Sequence, residues 1–218
     1  MKETKEAPAT AAHKEGEVER IYRTLKTWLV ECTLRPGEVL SEVDLASRCQ
    51  TSRTPIREAC NRLAQDGWIT RIRHKGYLVT PVSIRDLLQL YEYRKILECF
   101  AAEKAAQLAT SEQLEKLEAI VKLERDKAVQ VDQILPASDA FHLTLAEIAG
   151  NQRVFEQLRL TLEYVHRLDK LSTQRDSSWV PHVEIVEAIA ARRPADARIA
   201  VAAHIDNARD RMLRLFAL

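Results

Sequence analysis

The stretch Thr51-Ser52-Arg53-Thr54-Pro55-Ile56-Arg57-Glu58-Ala59-Cys60-Asn61-Arg62-Leu63 joins a helix start, an apolar stripe and a row of arginines. Ser52 can cap the helix, its hydroxyl accepting a bond from an amide of the first turn. Pro55 falls in that turn, where a missing N–H does little harm. Ile56, Ala59, Cys60 and Leu63 recur at i, i+3, i+4 and i+7, which marks one buried face. Arg53 and Thr54 stand at the helix start, and Arg57 lies one turn on, off the stripe. A helix that buries one side and offers Arg and Thr from its N-terminal end suits a major groove. Taken alone, it reads first as an ordinary amphipathic helix with a solvated basic face. What surrounds it decides.

Local charge points to nucleic acid. The whole chain of 218 residues carries a formal net charge of only +1. Between Arg48 and Lys75, however, seven basic residues face only Glu58 and Asp66, a net of +5. A basic patch in a near-neutral protein is a footprint for phosphate. With 46% hydrophobic and 30% charged residues, the chain can fill real cores. No apolar run approaches the roughly 18 residues of a membrane span. The amino end lacks a secretory core, and residues 1–14 read as a flexible polar arm. Cys32, Cys49, Cys60 and Cys99 show no CxxC spacing, so reduced thiols and a cytoplasmic protein are expected.

Working outward, a helix is expected from Glu17 to Thr33, with Val18, Ile21, Leu25, Trp28 and Leu29 inward. A second runs from Glu42 to Cys49 behind a Ser41 cap, packing Val43, Leu45, Ala46 and Cys49. After the opening helix, Asp66-Gly67 stops the chain. Residues 68–73 and 77–79 then read as two strands around His74-Lys75-Gly76. Three helices and a hairpin are the order of a winged helix-turn-helix, here assigned to residues 15–80. The hairpin is a wing bringing Arg71, Arg73, His74 and Lys75 toward DNA. This makes nucleic-acid binding the leading reading.

Beyond residue 83 the pattern predicts six helices and no strand, an all-α bundle over residues 84–218. The expected caps are Ser83, Thr110 with Gln113, Asp132, Asn151 and Ser177 or Ser178, with Pro194 starting the last helix. The sparse glycines and most prolines, Gly16 and Pro136 among them, are read as boundaries. The fold class is therefore mainly α, a winged helix-turn-helix followed by a six-helix bundle.

His142, His182 and His204 each sit on an apolar stripe of a different helix. They read either as hydrogen-bonded core residues or as ligands converging on a metal, and sequence leaves both open. Asp139, three residues before His142, can add an oxygen. Arg94 sits among Leu87, Leu90, Tyr91, Leu97 and Ala101, where an unpaired charge is costly. It is either paired with Glu98 one turn on or waiting for a ligand carboxylate. Arg167 is a weaker case of the same kind. No GxSxG, P-loop, GxGxxG or HExxH occurs, so there is little case for an enzyme.

These residues resemble the GntR family of bacterial transcription regulators, in its FadR-type branch. LRPGEVLSEVDLASRCQTSRTPIREACNRLAQDGWITRIRHKGYLV (34–79) looks like the family's DNA-binding domain. LYEYRKILECFAAEKAA (90–106), DAFHLTLAEIAGN (139–151), PHVEIVEAIAARRPADA (181–197) and AAHI (202–205) look like its helical sensing domain, the FCD domain. Six sensor helices resemble the VanR-like group. The resemblance implies operator contacts at Ser52, Arg53, Thr54 and Arg57, with Arg62 a lesser candidate and His74, Lys75 and Gly76 in the wing. It implies metal ligation by His142, His182 and His204, and a pocket arginine at Arg94; Arg167, read from its own position, is the second candidate effector contact. Two positions depart from the family. Ser138 stands where Asp or Asn is usual, with Asp139 one place later, and Gln50 replaces a turn glycine, where a positive φ is unfavourable.

The expectation is a homodimeric regulator, a repressor by default. It binds a near-palindromic double-stranded operator and responds to a small carboxylate-bearing metabolite near a divalent metal. Zinc comes first, with nickel, iron or manganese as alternatives. Two other readings stand beside it: a metal-responsive regulator without an organic effector, and a metalloenzyme with an accessory DNA-binding domain.

Overall fold

The computed structural model describes residues 9–125, 131–171 and 182–216. Two compact units emerge, Met1–Val82 and Ser83–Leu218. The opening stretch folds as α3, Arg53–Gln65, with Ile56, Ala59, Cys60 and Leu63 buried. Ser52 occupies its N-cap position, but the hydroxyl makes no capping bond. A cap bonds the amide of the second or third helical residue. The third here is Pro55, which has no N–H.

α1 spans Ala9–Val30, so residues 9–14 are helical rather than part of a flexible arm, and Gly16 lies inside the helix. Ala9, Ala11 and Ala12 are the strongest helix formers and outweigh one glycine. Residues 1–8 of the expected arm lie outside the described residues. α2 is Glu42–Arg48, with Ser41 Oγ accepting from the Val43 amide. Leu45, Ala46 and Cys49 are buried, whereas Val43 is 57% exposed. Helical geometry puts the first three on one side and Val43 on the other, so its expected packing does not occur.

Gln50 ends α2 at φ 52. The bonds Gln50 N→Ser47 O and Thr51 N→Ala46 O complete a Schellman motif, whose left-handed residue is usually glycine.

The wing is β2, Ile69–Ile72, and β3, Gly76–Val79. A strand not anticipated from sequence, β1 at Val39–Leu40, pairs antiparallel with β3, giving the order β1-β3-β2. Two residues carry too little alternation to announce a strand. Gly76 explains the approach: at φ +102, a Cβ there would sit 2.1 Å from Leu40 O. Only glycine allows β1 to close on the wing.

In the second unit the helices are α4 (Ile84–Leu108), α5 (Ser111–Arg125), α6 (Val131–Ile148), α7 (Gln152–Leu171), α8 (Val183–Ala190) and α9 (Pro194–Phe216). Ser83 and Asp86 form a capping box on α4. Thr110 and Gln113 exchange backbone–side-chain bonds at the start of α5, and Asn151 Oδ1 receives the amides of Arg153 and Val154. Ala101, Ala102, Ala105 and Ala106 are all buried on α4, and α9 packs along that helix.

Two expected boundaries move. Asp132 and Pro136 lie within α6 rather than at its edge. The apolar run Phe141, Leu145 and Ala146 continues the helix past a proline that costs one backbone bond. Ser177 and Ser178 lie outside the described residues, and α8 is described only from Val183. The fold is therefore mainly α, a winged helix-turn-helix followed by six helices among the described residues. None of those helices is long and apolar enough to cross a membrane.

Candidate nucleic-acid interface and metal centre

A cleft of about 380 Å³ opens between the N-termini of α2 and α3 and the wing. Arg53 and Arg57 line one wall, while Arg71, His74, Lys75 and Gly76 line the other. The backbone builds the wing tip tightly: Ile72 pairs with Gly76, and His74 takes φ 61, as three-residue hairpins require of one residue. Ser52 and Thr54 are exposed at the start of α3. Arg62 goes elsewhere. Its Nη1 bonds Glu19 at 2.9 Å and its guanidinium lies 4.3 Å from the Tyr22 ring of α1. Five residues beyond Arg57, it has turned to another side of the helix.

At this cleft, the residue that sequence reasoning missed is Glu42. Its Oε1 and Oε2 receive Arg57 Nε at 3.0 Å and Nη2 at 2.7 Å, and Oε2 also receives Arg53 Nη2 at 3.2 Å. The Arg57 hydrogen bond is the main influence holding the Glu42 carboxyl below its usual range. No spacing rule links residues 42 and 57, because the contact depends on how α2 and α3 pack.

The second unit brings the three histidines together. His142 on α6, His182 immediately before α8 and His204 on α9 are all buried. Each offers one ligand atom, and these lie within 4.8 Å of one another. His182 caps α8 by position rather than lying on its stripe, and its ring stacks on Phe141 at 4.1 Å.

Two buried carboxylates set the rings. Glu124 Oε1 lies 2.6 Å from His182 Nδ1, and Glu98 Oε2 lies 2.6 Å from His142 Nδ1. Arg94 can only donate, so its contact makes His142 Nε2 an acceptor, and the carboxylate beside His182 Nδ1 favours the same tautomer in that ring. Burial is the main reason the His182 pKa falls to about 4, leaving that ring neutral near pH 7.

The two Nε2 atoms face one another at 3.2 Å. Two nitrogens each about 2.1 Å from one ion, at roughly 90–110°, would stand about 3.0–3.4 Å apart. Facing lone pairs repel unless something positive lies nearby. Here Arg94 Nη2 donates to His142 Nε2 at 2.6 Å, while Arg94 Nε donates to Glu98 at 2.5 Å. The donor chemistry and the carboxylate-held rings fit a divalent cation.

Arg94 therefore has the partner that the structural reading gave it, Glu98, and also lines a cavity with His142 and His204. That cavity is about 30 Å³, room for an ion or a water rather than a metabolite. Asp139 lines it too, but its carboxylate lies 3.7 Å from His166 Nδ1 and outside the three-histidine group. Arg167, the other arginine expected from sequence, is buried and is not among the residues that line this cavity. The second guanidinium there is Arg211, bonded to Asp169 at 3.3 Å. On α7, Val165, His166 and Asp169 line the cavity, and Arg167 points away from them around the helix. His166, Arg211 and Asp169 lie on helices whose stripes gave no sign of them.

A winged helix-turn-helix joined to a helical sensor bundle is the build of a transcriptional regulator. Residues 17–79 match the bacterial regulatory proteins, gntR family, and residues 89–207 match the FCD domain. The chain belongs to the GntR family, in its FadR-type branch with an FCD domain, and is a DNA-binding transcriptional regulator. It is 32% identical over 184 residues to the Nta operon transcriptional regulator of Aminobacter aminovorans, covering 83% of this chain and 87% of that one. Over 152 residues it is 32% identical to the HTH-type transcriptional repressor RspR of Escherichia coli (strain K12), covering 67% of each. Among solved structures its fold is similar to that of E. coli McbR/YncC, with a TM-score of 0.76 at 19% identity over 92% of this chain and 98% of that chain.

Proposed function

We propose that this regulator is a homodimeric repressor with a resident metal, whose affinity for a near-palindromic operator follows what binds in the helical unit. The observation that carries the metal is the pair of buried Nε2 atoms 3.2 Å apart, each ring held by a carboxylate on its other nitrogen. His142, His182 and His204 would hold the ion, and zinc is the ion proposed, with nickel, iron or manganese as alternatives. Asp139, which lines the same cavity, is the side-chain oxygen proposed to complete the shell through a water. Purified protein should then carry near-stoichiometric metal that a His182→Ala, His204→Ala double variant loses. Equal metal content in the two proteins removes this reading.

At the DNA, Arg53, Thr54 and Arg57 face the bases or backbone from α3, Ser52 contributes its hydroxyl to a phosphate, and His74 and Lys75 grip the backbone from the wing. Gly76 serves through the closure of β1. Repression is the sense proposed because RspR is a named repressor. For the dimer, Ile96 and Phe100 on α4 and Ile199 on α9 offer exposed apolar surface, Ile96 at 65%. These two helices meet where Cys99 Sγ donates to Arg198 O. Sedimentation of Ile96→Asp should report a monomer, and an unchanged dimer would place the interface elsewhere.

The effector proposed is a small carboxylate ligand taken up by Arg94, acting through its different affinities for the DNA-competent and DNA-incompetent arrangements. The size of the cavity, about 30 Å³, favours a second reading in which the ion alone is the signal. Chelator added to an operator-binding assay separates them: loss of regulation by metal alone supports the second, and an additional requirement for a carboxylate supports the first.

A further inference from the structure

We infer that Glu42 is a specificity-determining residue that aims the recognition arginines, a role resting on the reading of α3 as the operator-contacting helix. Glu42 is the first residue of α2, behind the Ser41 cap. A carboxylate at that position is favoured by the helix dipole. Its side chain is only 14% exposed, whereas those of Arg57 and Arg53 are 50% and 61% exposed. The anion therefore sits at the base of the cleft with both guanidinium groups standing above it.

The pattern of bonds leaves a defined remainder. Glu42 takes Nε–H and one Nη2–H of Arg57. A guanidinium has five N–H groups, so the other Nη2–H and both Nη1–H groups stay available. These lie along its outer end. That end is a fork of the spacing that matches guanine O6 and N7 in the major groove. Arg53 yields only one N–H, from Nη2, and keeps a freer reach suited to a second base or a phosphate. One carboxylate thus gives two neighbouring arginines different freedoms. Arg57 is fixed in direction, and Arg53 is loosely tethered.

The same carboxylate opposes indiscriminate binding. Arg53, Arg57, Arg71 and Lys75 line the cleft with Glu42 as its one acidic residue among the described lining residues. An anion beneath the arginines repels phosphate on any sequence, while the guanine fork it aims repays that cost only at the matching base. Glu42 should lower non-specific affinity and raise the specific ratio together. A mere surface ion pair would mask the arginines equally against every duplex.

The experiment uses the full chain and two duplexes of equal length: one selected by the wild-type protein from a randomised library, and a scrambled version of it. Affinities are measured at several salt concentrations for wild type, Glu42→Gln, Arg57→Ala and the double variant, with thermal unfolding as a check on folding. Glu42→Gln is expected to tighten binding to the scrambled duplex. It should also cut the ratio of selected to scrambled affinity by about tenfold. In a base-by-base scan, discrimination should flatten at a guanine. With Arg57→Ala already present, Glu42→Gln should change that ratio little. Parallel shifts of both affinities, leaving the ratio intact, would overturn the inference while leaving α3 as the reading helix. If Arg57→Ala itself left the selected duplex bound as tightly as before, the reading of α3 would fall first.

Discussion

Arg57 and Arg94 are both arginines paired with a glutamate, and the two units treat them in opposite ways. Arg57 reaches Glu42 across two helices at the surface and keeps half its side chain in water. Arg94 reaches Glu98 one turn along α4, with both side chains almost fully buried and His142 on the far side of each. A water-exposed pair can exchange partners at little cost, which suits the base contact proposed for Arg57. A buried pair cannot, because each charge depends on the other for its solvation. The first arrangement suits a contact that is exchanged, and the second keeps Glu98 on Arg94 Nε whatever else that guanidinium meets.

That contrast can be broken most sharply by deleting each glutamate in turn. Glu98→Ala should destabilise the helical unit by about 3–5 kcal/mol, since it strands a buried guanidinium. Glu42→Ala should cost no more than about 1 kcal/mol. Urea unfolding of the two variants decides it, and similar losses would mean that burial does not separate the pairs.

Acid offers a second, intermediate test. His182 titrates near 4 in the fold against an ordinary 6.5, so the unfolded chain binds the proton more readily. The stability this ring contributes is complete above about pH 6.5 and lost as pH falls toward 4. Thermal unfolding of metal-free protein should show the helical unit weakening across that window. His182→Gln should flatten the dependence, and an unaltered profile in that variant would assign it to other groups.

The smallest effect belongs to the DNA-binding unit. Gln50 is held at φ 52 without the freedom of glycine. Gln50→Gly should stabilise by about 0.5–1 kcal/mol, the relief of left-handed strain less the added freedom of the unfolded chain. A melting temperature raised by a few degrees checks it. A fall would mean that the side chain contributes something that offsets its backbone strain.

What sequence made visible follows the range over which its signals act. The stripe of α3 and the pairing of Arg94 with Glu98 lie within a turn or two of one helix, and periodicity displays them directly. So do the caps at Ser41, Ser83 and Thr110. The histidines were visible as three buried stripes, but their meeting is set by packing of α6 and α9 and by the chain just before α8, which no local pattern encodes. Glu124 and Glu42 were missed for that reason: the partners of each lie on another element, far along the chain. Asp139 was placed by spacing on the right side of α6, yet spacing does not say which neighbour the carboxylate meets, and His166 lies closer at hand. Arg167 shows the converse limit: its burial was legible, but not that this cavity would be lined by its neighbours Val165, His166 and Asp169. β1 left almost no signal of its own. Its trace was the glycine opposite.

That glycine has a consequence for anyone redesigning the DNA-reading surface. Gly76 lets the Leu40 carbonyl come within 2.1 Å of where a Cβ would stand, and Leu40 is followed directly by Ser41 and Glu42, which open α2. The wing and the residue beneath the recognition arginines are therefore moored at one point. A transplanted wing that carries any larger residue at this place would push on the start of α2 and re-point Arg57. Grafts that alter wing sequence should then change base preference at positions the wing itself never touches.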